Sequence, residues 1–344
     1  MEEKKKFKFD VIIGNPPYQE DTDSESTRMP PIYDKFMDSS FGIAEKTEFI
    51  HPARFLFNAG YTPKSWNEKM LNDKHFKVLM YEPDSNKVFP NLSTPVKGGI
   101  AITYYDNRAN FSPIKIFTKF AELNSILSKV QKKNPQSLEN IISSPLSFKV
   151  SELMIKENPD LIPRLRSSAF TKLARIFYQK VPDDGKQYIG IIGLDENKKR
   201  VKRFIQKDYI DESKGLIDKY VVLMAKANGS GKFGETLSEA VIAEPGVGYL
   251  QTFIGIGKFD NLIEAKNLEK YIKTRFLRAM LGILKTTQDC PGPKWHYVPL
   301  QDFTSHSDID WSQSIPDIDK QLYKKYGLSQ EEIDFIESHV KEMA

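Results

Sequence analysis

The chain has 344 residues, of which 40% are hydrophobic and 28% are charged, and its formal net charge is +4. This composition excludes a globally disordered chain, and the length predicts two domains or one large domain with an appendage. The single cysteine, Cys290, excludes an internal disulfide and fits a reducing compartment, so we expect a cytoplasmic protein. No apolar run approaches the ~20 residues of a membrane span, and we expect neither a membrane anchor nor a signal peptide.

Strand and helix patterns alternate in the N-terminal third of the chain. The predicted elements are a buried parallel strand at Phe9–Ile13, a helix at Ile32–Ile43, a strand at Thr47–Ile50 followed by a loop at His51–Pro52, a helix at Trp66–Leu71, and strands at Phe76–Tyr81 and Gly99–Tyr105. This order is typical of a doubly wound α/β sheet that closes with an antiparallel pair.

The second part of the chain, from about residue 121, indicates an α+β domain. The predicted elements are a helix at Ala121–Lys133, strands at Gln187–Leu194, Tyr220–Ala225 and Gln251–Ile256, a basic amphipathic helix at Asn267–Lys285, and two helices within Ile315–Met343. Ser329 and Glu332 have the spacing of a capping box at the start of the last helix. We predict domains at residues 1–120 and 121–300, followed by a helical tail at 301–344.

The motif Asn15-Pro16-Pro17-Tyr18 follows the first predicted strand directly. Ligands bind at the carboxyl edge of such a sheet, so these residues are candidates for chemistry. Asn15 offers a side-chain carbonyl, and the rigid Pro16 offers a fixed backbone carbonyl. Two neighbouring acceptors suit an exocyclic amine, and the ring of Tyr18 suits stacking on the base that carries the amine. Methylation of an aromatic amine needs this arrangement, because the delocalised lone pair is otherwise a poor nucleophile.

Phe9–Tyr18 (FDVIIGNPPY) resembles the catalytic motif of N6-adenine DNA methyltransferases of type IIG and type I-like restriction–modification systems. The resemblance implies a partial Rossmann-like methyltransferase sheet, S-adenosylmethionine as methyl donor, double-stranded DNA as partner, and base flipping. It assigns catalysis to Asn15, Pro16, Pro17 and Tyr18. Val88-Phe89-Pro90 and Gly98-Gly99 resemble a later motif of this family, which implies that Phe89 packs on the flipped base. Thr252–Phe303 resembles part of the target recognition domain.

The order of motifs departs from this family in one respect. Its members carry a glycine-rich cofactor-binding turn upstream of Asn-Pro-Pro-Tyr, and few residues precede Asn15 here. Gly229–Gly234 is rich in glycine, but it has neither the strand before it nor the helix pattern after it that such a turn needs, and it is not a phosphate-binding loop. We therefore expect the cofactor-binding half to lie outside this chain, in an upstream subunit or an N-terminal region.

Basic residues are concentrated between Lys149 and Lys207, where they are twice as numerous as acidic ones, whereas residues 301–344 are acidic. A basic segment favours a polyanionic partner, although an ordinary solvated surface explains it equally well. The candidate DNA-binding residues are Lys198, Lys199, Arg200, Lys202 and Arg203 in one run, and Lys273, Arg275 and Lys285 on the predicted basic helix.

Other chemistries have weaker support in the sequence. The five histidines do not cluster at metal-ligand spacing, so we predict no metal site. Asp183-Asp184-Gly185-Lys186 looks superficially like a nuclease motif but lacks the strand context. Two alternatives to DNA adenine methylation remain open: a DNA-binding specificity module without catalysis of its own, and an amino-methyltransferase that acts on RNA or on protein glutamine.

Overall fold

The computed structural model describes residues 8–19, 30–58, 60–90, 95–96, 98–111, 113–161, 163–212 and 214–343. The chain is a mixed α/β protein that divides into two compact units, residues 1–121 and 122–344. Within the described ranges, no helix is long and apolar enough to cross a membrane.

The first unit contains one four-stranded sheet. Its elements are β1 (Phe9–Gly14), α1 (Tyr33–Ile43), β2 (Ala44–Pro52), α2 (Lys64–Asn72), β3 (Phe76–Glu82), α3 (Ser85–Val88) and β4 (Ile100–Asp106). The strand order is β1-β2-β4-β3; β1 and β2 are parallel, whereas β4 is antiparallel to both of its neighbours. This agrees with the predicted alternation of strands and helices and with the closing antiparallel pair.

The prediction that the first strand is buried is wrong. β1 pairs with β2 only, and it is an edge strand of the described sheet. Ile12 packs against the core, but the alternate residues Phe9, Val11 and Ile13 are 44%, 52% and 73% exposed. The run carries apolar residues on both faces, yet the described residues cover only one of them.

Helices α1 and α2 pack together on one face of this sheet. Met37 of α1, Trp66 of α2 and Phe49 of β2 are members of a single buried cluster, to which Phe76 and Ala101 also belong. The predicted loop at His51–Pro52 is instead the end of β2, where both residues pair with β4. The strand extends this far because the two residues are buried against the antiparallel partner rather than exposed.

The second unit contains three sheets and a group of C-terminal helices. From the unit boundary onward the elements are α4 (Ala121–Lys132), β5 (Ile142–Ser143), β6 (Lys149–Val150), α5 (Glu152–Glu157), α6 (Ala169–Lys172), β7 (Tyr188–Leu194), β8 (Arg200–Gln206), β9 (Ile210–Asp211), β10 (Tyr220–Ala225), β11 (Val241–Ala243), β12 (Val247–Tyr249), β13 (Phe253–Phe259), α7 (Leu262–Lys273), α8 (Arg275–Gly282), α9 (Ile315–Tyr326) and α10 (Gln330–His339). The sheets have the orders β11-β10-β13-β5, β12-β7-β8 and β6-β9. The predicted capping box of Ser329 and Glu332 is confirmed at the start of α10.

The prediction of a single basic helix at Asn267–Lys285 is wrong, because the helix is interrupted at Thr274. This residue has extended backbone angles, and its hydroxyl accepts a hydrogen bond from the Leu277 N–H, so it caps α8. Asp319 of α9 accepts two further bonds, from the N–H groups of Arg275 and Phe276. The start of α8 is thus defined by a carboxylate that lies far away in sequence.

The substitution Gly99→Ala tests the backbone before β4. A Cβ atom at Gly99 would lie 2.5 Å from the Glu82 carbonyl oxygen, and the φ of this residue is +79°. We expect the variant to lose at least about 2 kcal/mol of unfolding free energy, from backbone strain and overpacking together. Denaturant unfolding measures this loss.

Gly246→Ala is the matched control, since Gly246 has a φ of +85° but open space where a Cβ atom would stand. The Gly246→Ala variant therefore has the strain of a positive φ angle but no steric clash of the new Cβ atom. Equal losses in the two variants would contradict the proposed role of the close approach at Gly99.

Candidate functional site

The Asn-Pro-Pro-Tyr motif lies at one edge of the sheet in the first unit. Because β1 and β2 are parallel, Asn15–Tyr18 after β1 and the 3₁₀ turn Ala53–Phe57 after β2 lie at the same edge. The antiparallel β4 begins at this edge, and the Ala53 N–H donates to the Gly99 carbonyl there. Three segments distant in sequence thus meet at the carboxyl edge of β1 and β2, which is the ligand-binding edge of α/β sheets.

The residues of the motif differ in their surroundings. Asn15 and Pro17 are exposed, Pro16 is buried and Tyr18 is half-buried. No backbone N–H of the described residues donates to the Pro16 carbonyl. The Tyr18 carbonyl accepts a bond from the Ile32 N–H, which ties the end of the motif to the residues before α1. Two acceptors, the Asn15 side chain and the Pro16 carbonyl, are therefore adjacent in the chain and not consumed by the sheet.

A cavity of about 330 Å³ lies beside the motif. It is lined by Tyr18, Gln19, Pro31, Tyr33, Pro52, Arg54, Gly60, Tyr61, Pro95 and Val96. Its size falls at the lower end of the ~300–1,000 Å³ range of small-molecule sites. Of the predicted catalytic residues, only Tyr18 lines it; Asn15, Pro16 and Pro17 are not among its described lining residues.

Two tyrosines of this cavity have strongly perturbed hydroxyls. Burial raises the pKa of Tyr18 to about 12, and nearby Asn15 partly opposes the shift. The Tyr18 hydroxyl has no hydrogen-bond partner of good geometry among the described residues. Burial also raises the pKa of Tyr33 to about 12, with Thr62 opposing it. Both phenols are therefore neutral at physiological pH, and they can contribute stacking and hydrogen bonding but not a phenolate base.

His51 packs against Tyr33, which lines the cavity. Its ring is fully buried and lies parallel to that of Tyr33 at a centroid distance of 5.7 Å. Nε2 lies 2.7 Å from the Thr103 hydroxyl, and Nδ1 lies 3.1 Å from the Pro52 carbonyl. Burial lowers the pKa of His51 to about 4, with the Pro52 carbonyl opposing the shift. The imidazole is therefore a neutral structural group rather than a proton acceptor at neutral pH.

Arg54, Tyr33 and Tyr61 are site residues that the sequence patterns did not identify. Arg54 is half-buried, and Tyr61 is 64% exposed at the cavity. The available signal was positional: Arg54 follows the carboxyl end of the second parallel strand, where side chains of α/β proteins meet ligands.

Phe89, the predicted second base-stacking residue, is half-buried at the end of α3. Its N–H donates to the Ser85 carbonyl. It is not among the described residues that line the Tyr18 cavity. The neighbouring residues 91–94 lie outside the described part of the chain.

Four of the five cations in the predicted basic run are exposed, and one is half-buried. Lys198 and Lys199 lie in the exposed turn between β7 and β8, where the Asp195 carboxylate accepts from the Lys199 N–H. Arg200 and Lys202 are exposed at alternate positions of β8, while Arg203 is half-buried between them and the core. The strand pleat therefore separates the run into four exposed cations and one on the opposite face.

The other three basic candidates are engaged in ion pairs. Arg275 pairs with Glu337 and with Glu342, and Lys273 pairs with Glu269 on the same helix. The Lys285 side chain is only 4% exposed and pairs with Glu235 at 2.5 Å. Lys285 is thus inaccessible to a DNA phosphate, and the prediction of a basic helical face fails for it because the charge is neutralised internally.

The glycine-rich segment Gly229–Gly234 is a structural loop rather than a nucleotide cradle. The Glu235 carboxylate accepts bonds from the N–H groups of Ser230 and Gly231 and from Lys285, and these bonds lower its pKa to about 2 against the opposing effect of burial. A Cβ atom at Gly231 would lie 2.4 Å from the Thr287 nitrogen. The glycines of this loop admit close packing of the backbone against neighbouring segments.

No group of three or more potential metal ligands occurs among the residues that the structure describes. Cys290 is buried, and burial raises its pKa to about 12, so its thiol is neutral.

Comparison with known proteins finds similarity for the N-terminal segment. Residues 1–89 match the profile of the family described as Eco57I restriction-modification methylase. An uncharacterized adenine-specific methylase of Mycoplasma pneumoniae (strain ATCC 29342 / M129 / Subtype 1) is 30% identical over 119 residues, which are 34% of this chain and 28% of that protein. The predicted resemblance to restriction–modification adenine methylases is confirmed for this part of the chain.

Two solved structures are similar over 96% of this chain, each at 10% identity. They are the type IIG restriction endonuclease BpuSI, with a TM-score of 0.31 and 54% of that chain covered, and the type IIL restriction-modification enzyme MmeI in complex with DNA, with a TM-score of 0.29 and 56% covered. The chain spans little more than a quarter of the curated relative and about half of these two enzymes.

The buried His51 makes the first unit sensitive to acid. Its pKa falls from 6.5 to about 4 on folding, so the unfolded state binds a proton first as the pH drops. We expect the stabilising contribution of the neutral ring to be complete above about pH 6.5 and to be lost as the pH falls towards 4, by roughly 3 kcal/mol.

Urea unfolding of the wild type and of His51→Gln at about pH 7 and about pH 4.5 measures this effect. The free-energy difference between the two proteins should shrink at the lower pH, because glutamine does not titrate. A difference that stays constant with pH would contradict the assignment of a neutral buried imidazole.

Proposed function

We propose that this chain, whose residues 1–89 match restriction-modification methylases, is the catalytic and target-recognition portion of a DNA adenine N6-methyltransferase. The observation that carries the proposal is the position of Asn15–Tyr18. The motif follows a parallel strand at the ligand-binding edge of the sheet, with two acceptors available and Tyr18 lining a cavity.

The two acceptors would act on the amine of the target base. The Asn15 side-chain carbonyl and the Pro16 carbonyl accept its two N–H bonds, which draws the nitrogen towards tetrahedral geometry and localises its lone pair. S-adenosylmethionine supplies a methyl group on a sulfonium when it is bound. Asn15 and Pro16 would hold the amine with its lone pair available to such a methyl donor, and the amine proton that is lost would pass to solvent. No base is required, which agrees with the weak basicity of His51, whose pKa burial lowers to about 4, and with the protonated hydroxyl of Tyr18.

Stacking holds the base at the acceptors. The ring of Tyr18 lines the cavity and offers one flat apolar face, and such stacking is worth roughly 1–3 kcal/mol per base. We propose that Phe89 is a second residue that packs on the base, as the family motif implies. Residues 91–94 beside it lie outside the described ranges.

The cofactor site is proposed to lie in a further half of the methyltransferase sheet. The outer edge of β1 pairs with no described strand, and Phe9, Val11 and Ile13 expose apolar area beside it. Exposed apolar surface on a strand edge favours a missing protein partner. We propose that a strand of the cofactor-binding half, from an upstream subunit or an N-terminal region, pairs there and completes a Rossmann-like sheet.

The second unit is proposed to bind DNA. Residues 1–120 form the catalytic part in this proposal, residues 121–300 the target recognition part, and residues 301–344 a helical tail anchored by Asp319 and Glu337. The exposed cations Lys198, Lys199, Arg200 and Lys202 would bind phosphates. Arg203 and Lys273 are secondary candidates, whereas Arg275 and Lys285 serve the fold through their ion pairs.

A DNA-binding module without catalysis is the second candidate function. It is favoured by the exposed cations of the β7–β8 turn, which need no cofactor half in order to bind a polyanion. Methylation of RNA or of protein glutamine would use the same acceptor pair, and the identity of the methylated product distinguishes these substrates from DNA.

Methyl transfer by the chain combined with a cofactor-binding half tests the main proposal. We expect Asn15→Ala to reduce labelled-methyl incorporation into duplex DNA by about 100-fold or more, because one transition-state acceptor is removed. Asn15→Asp is the matched control, since it retains an acceptor oxygen at that position and should keep more activity.

The modified nucleoside is then identified after digestion of the DNA. N6-methyladenine supports the proposal. Methylcytosine in the DNA, or methyl transfer to RNA or to protein glutamine but not to DNA, would refute the assigned substrate. Tyr18→Phe should retain most of the activity and Tyr18→Ala should not, because the ring rather than the hydroxyl stacks on the base.

Salt dependence of DNA binding tests the recognition face. We expect the combined variant Lys198→Gln, Lys199→Gln and Lys202→Gln to flatten the plot of log affinity against log salt by roughly 0.9 for each phosphate that is no longer neutralised. Lys320→Gln removes an exposed lysine of α9 that is paired with Asp317 and serves as the control. An unchanged slope in the triple variant would exclude the β7–β8 turn from the DNA interface.

A further inference from the structure

One cation in the Tyr18 cavity is not used by the methyl-transfer chemistry. Arg54 lies in the 3₁₀ turn after β2, and its stem runs beneath two glycine turns. A Cβ atom on Gly60 would lie 3.2 Å from Arg54 Cβ, and one on Gly98 would lie 2.7 Å from Arg54 Cγ. Both glycines have positive φ angles, +93° and +90°. The two glycines therefore leave room for the Arg54 side chain at the cavity, where residues with a Cβ atom would crowd it.

The guanidinium of Arg54 has no partner among the described residues. No carboxylate of the described chain lies within ion-pair distance of it, and no hydrogen bond from it to those residues is present; Arg108 and Arg275 in the same chain are both paired with glutamates. Partly burying an unpaired charge costs free energy, which an anionic ligand would recover. A guanidinium presents its N–H donors in a planar fork that matches a phosphate.

We propose that Arg54 binds the DNA backbone phosphate next to the nucleotide whose base enters the Tyr18 cavity. This assignment rests on the proposed function for the identity of the anion. A base that has left the stack brings its own flanking phosphates to the cavity mouth, and fixing one of them holds the nucleotide in the extruded position. Gly60 and Gly98 would contribute to this interaction because neither has a Cβ atom that would collide with the Arg54 side chain.

A carboxylate of the cofactor is the other anion expected near such a site. The position of Arg54 favours the phosphate. Arg54 follows β2, on the opposite side of β1 from the free edge at which we place the cofactor-binding half. Gly98, which packs on the arginine, leads into β4, still further from that edge.

Binding of the full chain to a duplex that contains one extrahelical 2-aminopurine tests the inference. Affinity is measured at several salt concentrations, and the fluorescence of the probe reports its unstacking. We expect Arg54→Gln to weaken binding by roughly tenfold at low salt and to reduce the salt slope by about one. Arg54→Lys retains the charge and should keep the slope while losing the bidentate geometry.

Arg108→Gln is the matched control. It removes the same charge from the same unit at the far end of β4, at the opposite edge of the sheet, and should leave both affinity and slope unchanged. Thermal midpoints show that each variant is folded. The inference is overturned if Arg54→Gln behaves like Arg108→Gln, or if Arg54→Gln alters cofactor affinity in the completed enzyme without changing the salt slope.

The same measurements separate this inference from the proposed function. If the completed wild-type enzyme transfers no methyl group but Arg54→Gln still flattens the salt slope, the methylation proposal fails and the phosphate site stands. If methylation occurs and the slope is unchanged in Arg54→Gln, the phosphate site alone fails. A wild-type chain that binds no DNA at low salt overturns both.

Discussion

The parallel pairing of β1 with β2 is the constraint on which the candidate site depends. The register from Phe9 opposite Ala44 to Gly14 opposite Phe49 brings two strand ends to one edge of the sheet. Tyr18 and Arg54, which are distant in sequence, reach one cavity only because the strands run in the same direction. The antiparallel β4 then adds Gly98 and Gly99 at the same edge. If β2 ran the other way, the 3₁₀ turn that carries Arg54 would lie at the opposite edge of the sheet from the motif.

Local patterns were sufficient to predict most of the elements in the first unit and the start of the last helix in the second. The helical spacing before β2, the β-branched run of β4 and the Ser329–Glu332 capping box are properties of a few adjacent residues, and each occurs in the structure. Elements that depend on distant partners were predicted less well. The break at Thr274 depends on Asp319, which lies on another helix. The apolar residues of β1 predict a buried strand, but their pattern does not tell whether the described chain supplies the layer that would cover it.

The candidate site shows the same division between local and distant information. The Asn-Pro-Pro-Tyr motif is contiguous, so its place at the sheet edge followed from the strand that precedes it. Tyr33, Arg54 and Tyr61 join it only after folding. Charge alone also could not distinguish an exposed cation from a paired one: Lys202 is exposed on β8, whereas Lys285 is buried against Glu235. The partner that decides between these states lies elsewhere in the sequence.

The edge of β1 that no described strand covers also bears on how the chain behaves in solution. Unpaired N–H and C=O groups beside Phe9, Val11 and Ile13 form a template on which a second copy can add its own first strand. Lys8 reaches over the Phe9 ring, and it is a charge of the kind that discourages such pairing at strand edges. One lysine protects one end of the strand only. While this edge stays unpaired, edge-to-edge association between copies of the chain is therefore favoured.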